Sequence, residues 1–394
     1  MTGLLTRSTI VVVTWRGKGH VGACLDAVAA QTRPHRLLVI DNASDDGTAE
    51  ILAQHPSAPS VLRLPANLGY AGALAAVDAD TEFTAWLNDD AELAPDWLER
   101  LEDALDQHEE AAAASSKMIS LEGAVLSLGV GLTADGYGMD VTTPTAEPFG
   151  FCGGAALIRT GELRRAGGVP ARFFCYYEDT DTAWRLRLGG HTIVSVPEAV
   201  VTHRHGASSQ PGSRQFHLWN ERNRLAMLIR CAPATVATRE LTRFAAITAM
   251  LPLRRTLTQL RGRPVDNPPP TAPELSVPSD SVEIGGPPGH ERDFRSGSAG
   301  EDVASGSSRP GKRRWPPVAW KSGGPLSRER DFRSGAVGET AVPWNFRTGL
   351  RVRVLFEVVA TLRLLLHERR TISRVVNVPR SVVWRRARSA NSAS

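Results

Sequence analysis

The sequence predicts an α/β fold, a mostly parallel sheet flanked by helices. Three observations predict it. Short β-branched apolar runs alternate with stretches of helical spacing through the first half of the chain. Acidic groups recur at or just after those runs, where an open parallel sheet delivers side chains to a ligand crevice at its carboxyl edge. The 394 residues, 42% of them hydrophobic, can fill a substantial core.

Taken in order, residues 9–13 read as the first strand, 21–31 as a helix and 36–40 as the second strand. Residues 48–54 are helical, 60–64 form a strand, 72–79 a helix and 84–87 a fourth strand, an alternation that implies parallel pairing with helices on both faces. Residues 95–110 carry Trp97, Leu98, Leu101 and Leu105 at helical spacing, behind a Pro-Asp opening suited to a first turn. Residues 111–119 return to the sheet, and 123–148 are a Gly- and Thr-rich excursion with little periodicity. A strand over 152–158, short helices over 161–166 and 181–188, and last strands over 192–196 and 199–201 complete the sheet. Two amphipathic helices, 216–229 and 238–260, pack at its side.

These elements define a domain over 1–262. From 263 to 342 the composition turns to Pro, Gly, Ser and charge, too poor in apolar residues to offset the entropy of ordering, so this insert is expected to be disordered. It holds Glu-Arg-Asp-Phe-Arg-Ser-Gly twice, at 291–297 and 329–335, and two short copies do not make a solenoid. Residues 343–394 form a basic tail with 11 Arg against 2 Glu, so the chain's net charge of +4 resides there. Within it Val354, Leu355, Val358, Leu362, Leu365 and Leu366 line one helical face, which either docks on the domain or lies on an anionic membrane surface. Residues 352–366 are interrupted by Arg353, Glu357 and Arg363 and fall short of the roughly 20 apolar residues that span a bilayer. Residues 1–7 lead straight into a strand, with no signal-peptide pattern, and Cys24, Cys152, Cys175 and Cys231 form no C-x-x-C pair. A reducing cytoplasm is the expected setting.

Transfer of a sugar from a nucleotide diphosphate requires the base and ribose to be held, the departing diphosphate neutralised and the acceptor hydroxyl deprotonated, and the chain offers a candidate for each. Asp41, ending a strand, can accept hydrogen bonds from a pyrimidine or ribose, and Trp15 in Thr14-Trp15-Arg16 can stack nearby; the same stretch also has ordinary turn and capping uses. Two glycines in Asn67-Leu68-Gly69-Tyr70-Ala71-Gly72 let backbone approach a ligand closely. In Asn88-Asp89-Asp90 the hard carboxylate oxygens suit a divalent cation, Mg²⁺ or Mn²⁺, with Asp90 as ligand and Asp89 on ribose or metal. Mutual repulsion within Glu178-Asp179-Thr180-Asp181 raises at least one pKa, which suits a general base, and Trp184 follows on the same helix. His203, after the last strand, can complete a metal shell with Asp90.

Over residues 9 to about 230 the chain resembles glycosyltransferase family 2, enzymes of the GT-A fold. The resemblance rests on residues 10–15, Val39-Ile40-Asp41-Asn42-Ala43-Ser44-Asp45-Asp46-Gly47-Thr48, Asn67-Leu68-Gly69-Tyr70-Ala71-Gly72 and Leu87-Asn88-Asp89-Asp90. It continues through Gly153-Gly154-Ala155-Ala156, Phe174-Cys175-Tyr176-Tyr177-Glu178-Asp179-Thr180-Asp181, Trp184-Arg185, and Val196-Pro197 followed by His203. The order and spacing are most similar to an actinobacterial branch of rhamnosyl- and galactofuranosyl-transferases that build cell-wall or surface polysaccharide. The resemblance implies that Asp41 contacts the nucleotide, Asp90 anchors the metal, His203 is a further ligand and Asp179 is the base. It implies Thr14, Trp15, Asn67, Gly69, Ala71, Asn88, Asp89 and Gly154 along the donor, and Glu178, Asp181 and Trp184 on the acceptor side of the base. The expected partners are a nucleotide-diphosphate sugar, a glycan or lipid-linked acceptor and a membrane surface on the cytoplasmic side, with no nucleic acid. Asn88 departs from the Asp-x-Asp pattern and removes one charge from the metal shell. Rival readings are a sugar-phosphate nucleotidyltransferase, faintly echoed by Arg16-Gly17-Lys18-Gly19, and an inactive membrane-peripheral binding protein on the same fold.

Overall fold

A computed structural model describes residues 6–145, 147–204, 213–260 and 344–390. The elements run β1 (Ser8–Thr14), α1 (Val21–Ala29), β2 (His35–Asp41), α2 (Thr48–Gln54), β3 (Ser60–Arg63), α3 (Gly69–Ala75), β4 (Phe83–Asn88), β5 (Ala91–Leu93) and α4 (Trp97–Gln107). They continue with β6 (Ala111–Ile119), β7 (Val125–Ser127), β8 (Val130–Leu132), β9 (Gly138–Asp140), β10 (Ala155–Arg159), α5 (Thr160–Arg165), α6 (Glu178–Leu188), β11 (Thr192–His203), α7 (Arg214–Cys231) and α8 (Ala234–Leu260). After the insert come α9 (Trp344–Ser373) and α10 (Arg380–Ala390). The insert over 263–342, with its repeated heptapeptide, lies outside the described residues.

The main sheet has the order β3-β2-β1-β4-β10-β6-β11-β5, with β7 beside β6. Its first four strands are parallel, as the strand-helix alternation requires. Beyond them the sheet is mixed, since β10 runs antiparallel to both β4 and β6. The reason is local: the 123–148 excursion contains no crossover helix, and a chain that returns without one enters antiparallel. That excursion is itself structured, because β7 pairs with β6 while β8 and β9 form a two-stranded ladder. The two last strands expected at 192–196 and 199–201 are one, β11, with a register shift between Val196 and Val200 where Pro197 withdraws a backbone donor. β5 and α10 carry too few periodic residues to be foreseen.

Successive residues of β1 serve opposite layers. Ile10 and Val12 join a cluster with α1 and α4, whereas Val11 and Val13 join one with α3 and α5. A third apolar cluster decides between the two readings of the tail. Leu350, Val354, Val358 and Leu365 of α9 are buried with Leu218, Leu225 and Leu228 of α7, and Trp384 of α10 stacks on Trp184 at 5.7 Å with rings 8° apart. The tail therefore docks on the domain. Underneath runs a chain of ion pairs, buried at Arg185, Asp181 and Arg230 and partly exposed at its far end: Arg185 to Asp181 (2.7 Å), Asp181 to Arg230 (2.6 Å), Arg230 to Glu368 (3.0 Å) and Glu368 to Arg172 (2.7 Å), which ties α6 and α7 to α9. Among the described residues no helix is long and apolar enough to cross a membrane.

Candidate active site

The register of the parallel strands decides which side chains gather at the carboxyl edge. Thr14 pairs with Asp41, Asp41 with Arg63, and Val13 with Asn88, so the loops after β1, β2, β3 and β4 open side by side.

Asp41 is 1% exposed. Its Oδ1 accepts the Ser44 N–H at 2.8 Å, and its Oδ2 pairs with the Arg63 guanidinium, which also donates to the Ser44 carbonyl at 2.8 Å. Beside it Arg16 forks onto Asp45 at 2.6 and 2.8 Å with its guanidinium over the Trp15 ring, and Lys18 N–H donates to Asp46 at 3.1 Å. Gly17 lies against this edge because a Cβ there would stand 2.2 Å from Thr14 Oγ1 and 2.6 Å from Asp89 Oδ2.

Asn67 Oδ1 accepts from Asn42 Nδ2 at 2.9 Å and from Gly69 N–H at 2.8 Å, joining the β2 loop to the start of α3. Gly69 has φ +71°, and a Cβ on it would stand 2.3 Å from the Phe174 carbonyl. Ala71 N–H donates to that same carbonyl at 2.9 Å, so Gly69 and Ala71 are turned toward residues 173–177.

After β4, Asp90 Oδ1 lies 3.0 Å from His203 Nε2 and Asn88 Nδ2 lies 3.1 Å from the same nitrogen. β5 pairing with β11 brings them together, His203 standing opposite Ala91. Asp89 Oδ2 lies 3.2 Å from His20 Nε2, and this contact holds the His20 pKa above its ordinary value. Both of these carboxylate oxygens, Asp89 Oδ2 and Asp90 Oδ1, are buried, and each faces an imidazole nitrogen. Among the described residues, however, no group of three His, Cys, Asp or Glu side chains converges on one point.

The base candidate reaches the same edge through two glycines. Gly153 N–H donates to Asp179 Oδ2 at 3.0 Å, and Asp179 Oδ1 accepts from Thr180 N–H at 2.5 Å and Thr180 Oγ1 at 2.9 Å. The next residue, Gly154, packs on Asn88: a Cβ on it would stand 3.1 Å from Asn88 Nδ2. Asp179, Asn88, Asp90 and His203 are thus linked by successive contacts along the carboxyl edge of the sheet. Burial pushes the Asp179 carboxyl above its ordinary range, against the pull of the Gly153 and Thr180 donors. Glu178 is buried, its Oε2 accepts no hydrogen bond, and burial with the neighbouring Asp179 charge pushes its pKa up to about 8.

Two sequence candidates face elsewhere. Asp181 is engaged by Arg185 and Arg230 in the buried part of the ion chain, and Trp184 lies in the core between Phe149 and Trp384. The structure adds residues the sequence reading missed. Arg63 was foreseeable from its register opposite Asp41, and Tyr70, donating to the Gly153 carbonyl at 2.6 Å, from its place in the Gly-rich stretch. His20, beside Asp89, and Asn223, on α7, carried no local signal.

The model described as glycosyl transferase family 2 matches residues 9–159. An N-acetylglucosaminyl-diphospho-decaprenol L-rhamnosyltransferase of Mycobacterium tuberculosis is 28% identical over 243 residues, covering 52% of this chain and 78% of that protein. Among solved structures, a mannosyltransferase from Pyrobaculum calidifontis in complex with GDP-Man and Mn²⁺ is 20% identical, covers 64% of this chain and 80% of its own, and has a TM-score of 0.45. GalNAc-T7 with UDP, GalNAc and Mn²⁺ is 16% identical with a TM-score of 0.47; it covers 58% of this chain, which spans 48% of that one. Over residues 9–159 the chain is thus similar to the family 2 glycosyltransferases.

Proposed function

We propose that the chain is an inverting glycosyltransferase that moves a sugar from a nucleoside-diphosphate sugar to a hydroxyl of a glycan or lipid-linked glycan, with Asp179 as general base. The observation that carries this reading is the Gly153 hydrogen bond to Asp179, one residue before the Gly154 contact with Asn88 and the Asp90–His203 pair. It supports one crevice with a proton acceptor on one side and an anion-binding edge on the other. Asp179 takes the acceptor hydroxyl's proton as that oxygen bonds to the anomeric carbon, and the opposite bond to the diphosphate breaks. Asp41 holds the base or ribose, Trp15 stacks beside it, and the loops carrying Thr14, Asn67, Asp89 and Gly154 enclose the donor.

A Mg²⁺ or Mn²⁺ ion fits Asp90 and His203, with Asp89 adjacent, because Asp89 Oδ2 and Asp90 Oδ1 are buried hard oxygens that face imidazole nitrogens and have room for a further partner of positive charge. Such an ion supplies charge neutralisation for the departing diphosphate. The mycobacterial relative's name, which specifies a diphospho-decaprenol-linked acceptor, supports a lipid-linked acceptor here. Nucleoside diphosphate as the product, rather than pyrophosphate, separates sugar transfer from the nucleotidyltransferase alternative.

The outer face of α9 supports a working position on an anionic membrane surface at the cytoplasmic side. Val352, Phe356, Val359 and Leu366 are exposed along it, Phe356 at 72%, with Arg363 and Arg370 interleaved. The helix's acids, Glu357 and Glu368, are committed to ion pairs with Arg222 and Arg230. Sedimentation with phosphatidylglycerol vesicles is expected to pull down the chain and to fail for Phe356→Glu; equal recovery of both proteins contradicts the membrane reading.

The central experiment is Asp179→Asn. Donor binding should persist while transfer falls by at least about 100-fold, the scale of general base catalysis. Turnover near that of the unmodified chain defeats the assignment.

A further inference from the structure

The base candidate is delivered by an unusual piece of backbone. Between the 3₁₀ turn Ala171–Phe173 and α6 the chain passes through Phe174 (φ 64°), Tyr176 (φ 71°) and Tyr177 (φ 69°), three non-glycine residues in the left-handed region within four positions. L-residues with bulky side chains avoid that region, so the surroundings must hold it.

One buried side chain makes several of the contacts that hold it. Asn223 of α7 is 1% exposed, and its Nδ2 donates to the carbonyls of Phe173 at 2.9 Å, Cys175 at 2.8 Å and Tyr176 at 2.8 Å. The carbonyl between them, Phe174, accepts from Ala71 N–H at 2.9 Å on the other side. Four consecutive carbonyls, 173–176, are therefore engaged just ahead of Glu178 and Asp179; the two N–H of the Asn223 amide are shared among three of them, and Arg222 Nη2 also donates to that of Phe173 at 2.8 Å. The chemistry is specific: an aspartate here would turn lone pairs toward three carbonyl oxygens, and a serine would offer one hydrogen for three acceptors.

We propose that Asn223 is a positioning residue for catalysis: by clamping the left-handed run at 174–177 it sets where Asp179 stands against Gly153. The proposal rests on the reading of Asp179 as base. Its physical basis is that displacement of a reacting group by about 1 Å costs on the order of 100-fold in rate.

The test compares full-length Asn223→Ser, Asn223→Ala, Asp179→Asn and the Asn223→Ser, Asp179→Asn double variant. The expected result for Asn223→Ser is a kcat lower by about 10- to 100-fold, with donor KM and calorimetric donor affinity within about twofold. Amide exchange at 174–180 should be faster than in the unmodified chain. In the Asp179→Asn background the serine change should cost little more, because the group it positions is already gone.

Wild-type kcat in a folded Asn223→Ser or Asn223→Ala chain, or losses that multiply in the double variant, overturns the positioning role while leaving the base assignment intact. Failure of the base assignment reads differently, as normal turnover of Asp179→Asn itself. If both Asn223 variants melt below the assay temperature, the side chain serves folding and the proposal is overturned.

Discussion

His203 Nε2 lies 3.0 Å from Asp90 Oδ1, joining the last residue of β11 to the loop that follows β4. Asp90 Oδ1 and the neighbouring Asp89 Oδ2 are both buried, each facing an imidazole nitrogen, an arrangement that would gain a further partner if a cation entered. Asp90→Ala and His203→Ala should each weaken Mn²⁺-dependent binding of nucleoside diphosphate by about 10-fold or more, equivalent to about 1.4 kcal/mol. Thermal-shift titrations of cation with nucleotide measure it, and unchanged midpoints in both variants remove the metal assignment. Asn88→Asp should act in the opposite sense, restoring a carboxylate next to His203 and tightening cation binding.

Glu178 gives a pH signature. Its native pKa of about 8 exceeds the ordinary 4.5 because burial disfavours the charged form. Between those values the native state holds a proton the unfolded chain has released, so this contribution is full below about pH 4.5 and is lost as pH rises through about 8. Glu178→Gln should match the unmodified chain near pH 5 and exceed its stability near pH 9 by on the order of a few kcal/mol. Parallel curves of melting temperature against pH would falsify this.

Arg63 is the counter-charge of the buried Asp41, although half of its own side chain meets solvent. Arg63→Met leaves a buried carboxylate supported by the Ser44 N–H alone among the contacts described above. The expected cost is about 1–2 kcal/mol, below that of a fully buried pair because water screens the exposed guanidinium. Donor KM should rise by about 10-fold if Asp41 holds the nucleotide; denaturant melts and initial-rate kinetics read the two effects separately.

The tail is structural before it is anything else. Trp384, stacked on Trp184, fills the space between α6 and α10, so Trp384→Ala should destabilise the chain by about 3–5 kcal/mol in urea melts. A loss under about 1 kcal/mol would mean that α10 detaches readily.

Much of this was legible because period and register are local. β1, β2 and α2 fall within one residue of their expected limits at each end, and Asp41, Asn88 and Asp90 stand at the carboxyl edge where strand endings place them. The 123–148 ladder was not legible, since strands of three residues give a period-2 pattern too little length. Asp181 and Trp184 carried a sequence signature but face the interior: on a helix beginning at Glu178, positions two and five residues after Asp179 turn away from it. Asn223 was invisible for the opposite reason. Its partners are backbone carbonyls some fifty residues earlier in the chain, and carbonyls have no sequence identity to read.

The ion chain from Arg185 through Asp181, Arg230 and Glu368 to Arg172 bears on how such proteins can be recombined. A graft of the 9–159 segment into a relative would carry Asp41 and Asp90 but leave Asp179, His203 and every one of these charges to the recipient. A junction placed between Arg172 and Glu368 would instead divide the ion chain, and a buried member such as Asp181 would then lose a counter-ion. The ion chain therefore travels whole only when a junction falls before Arg172 or after Glu368.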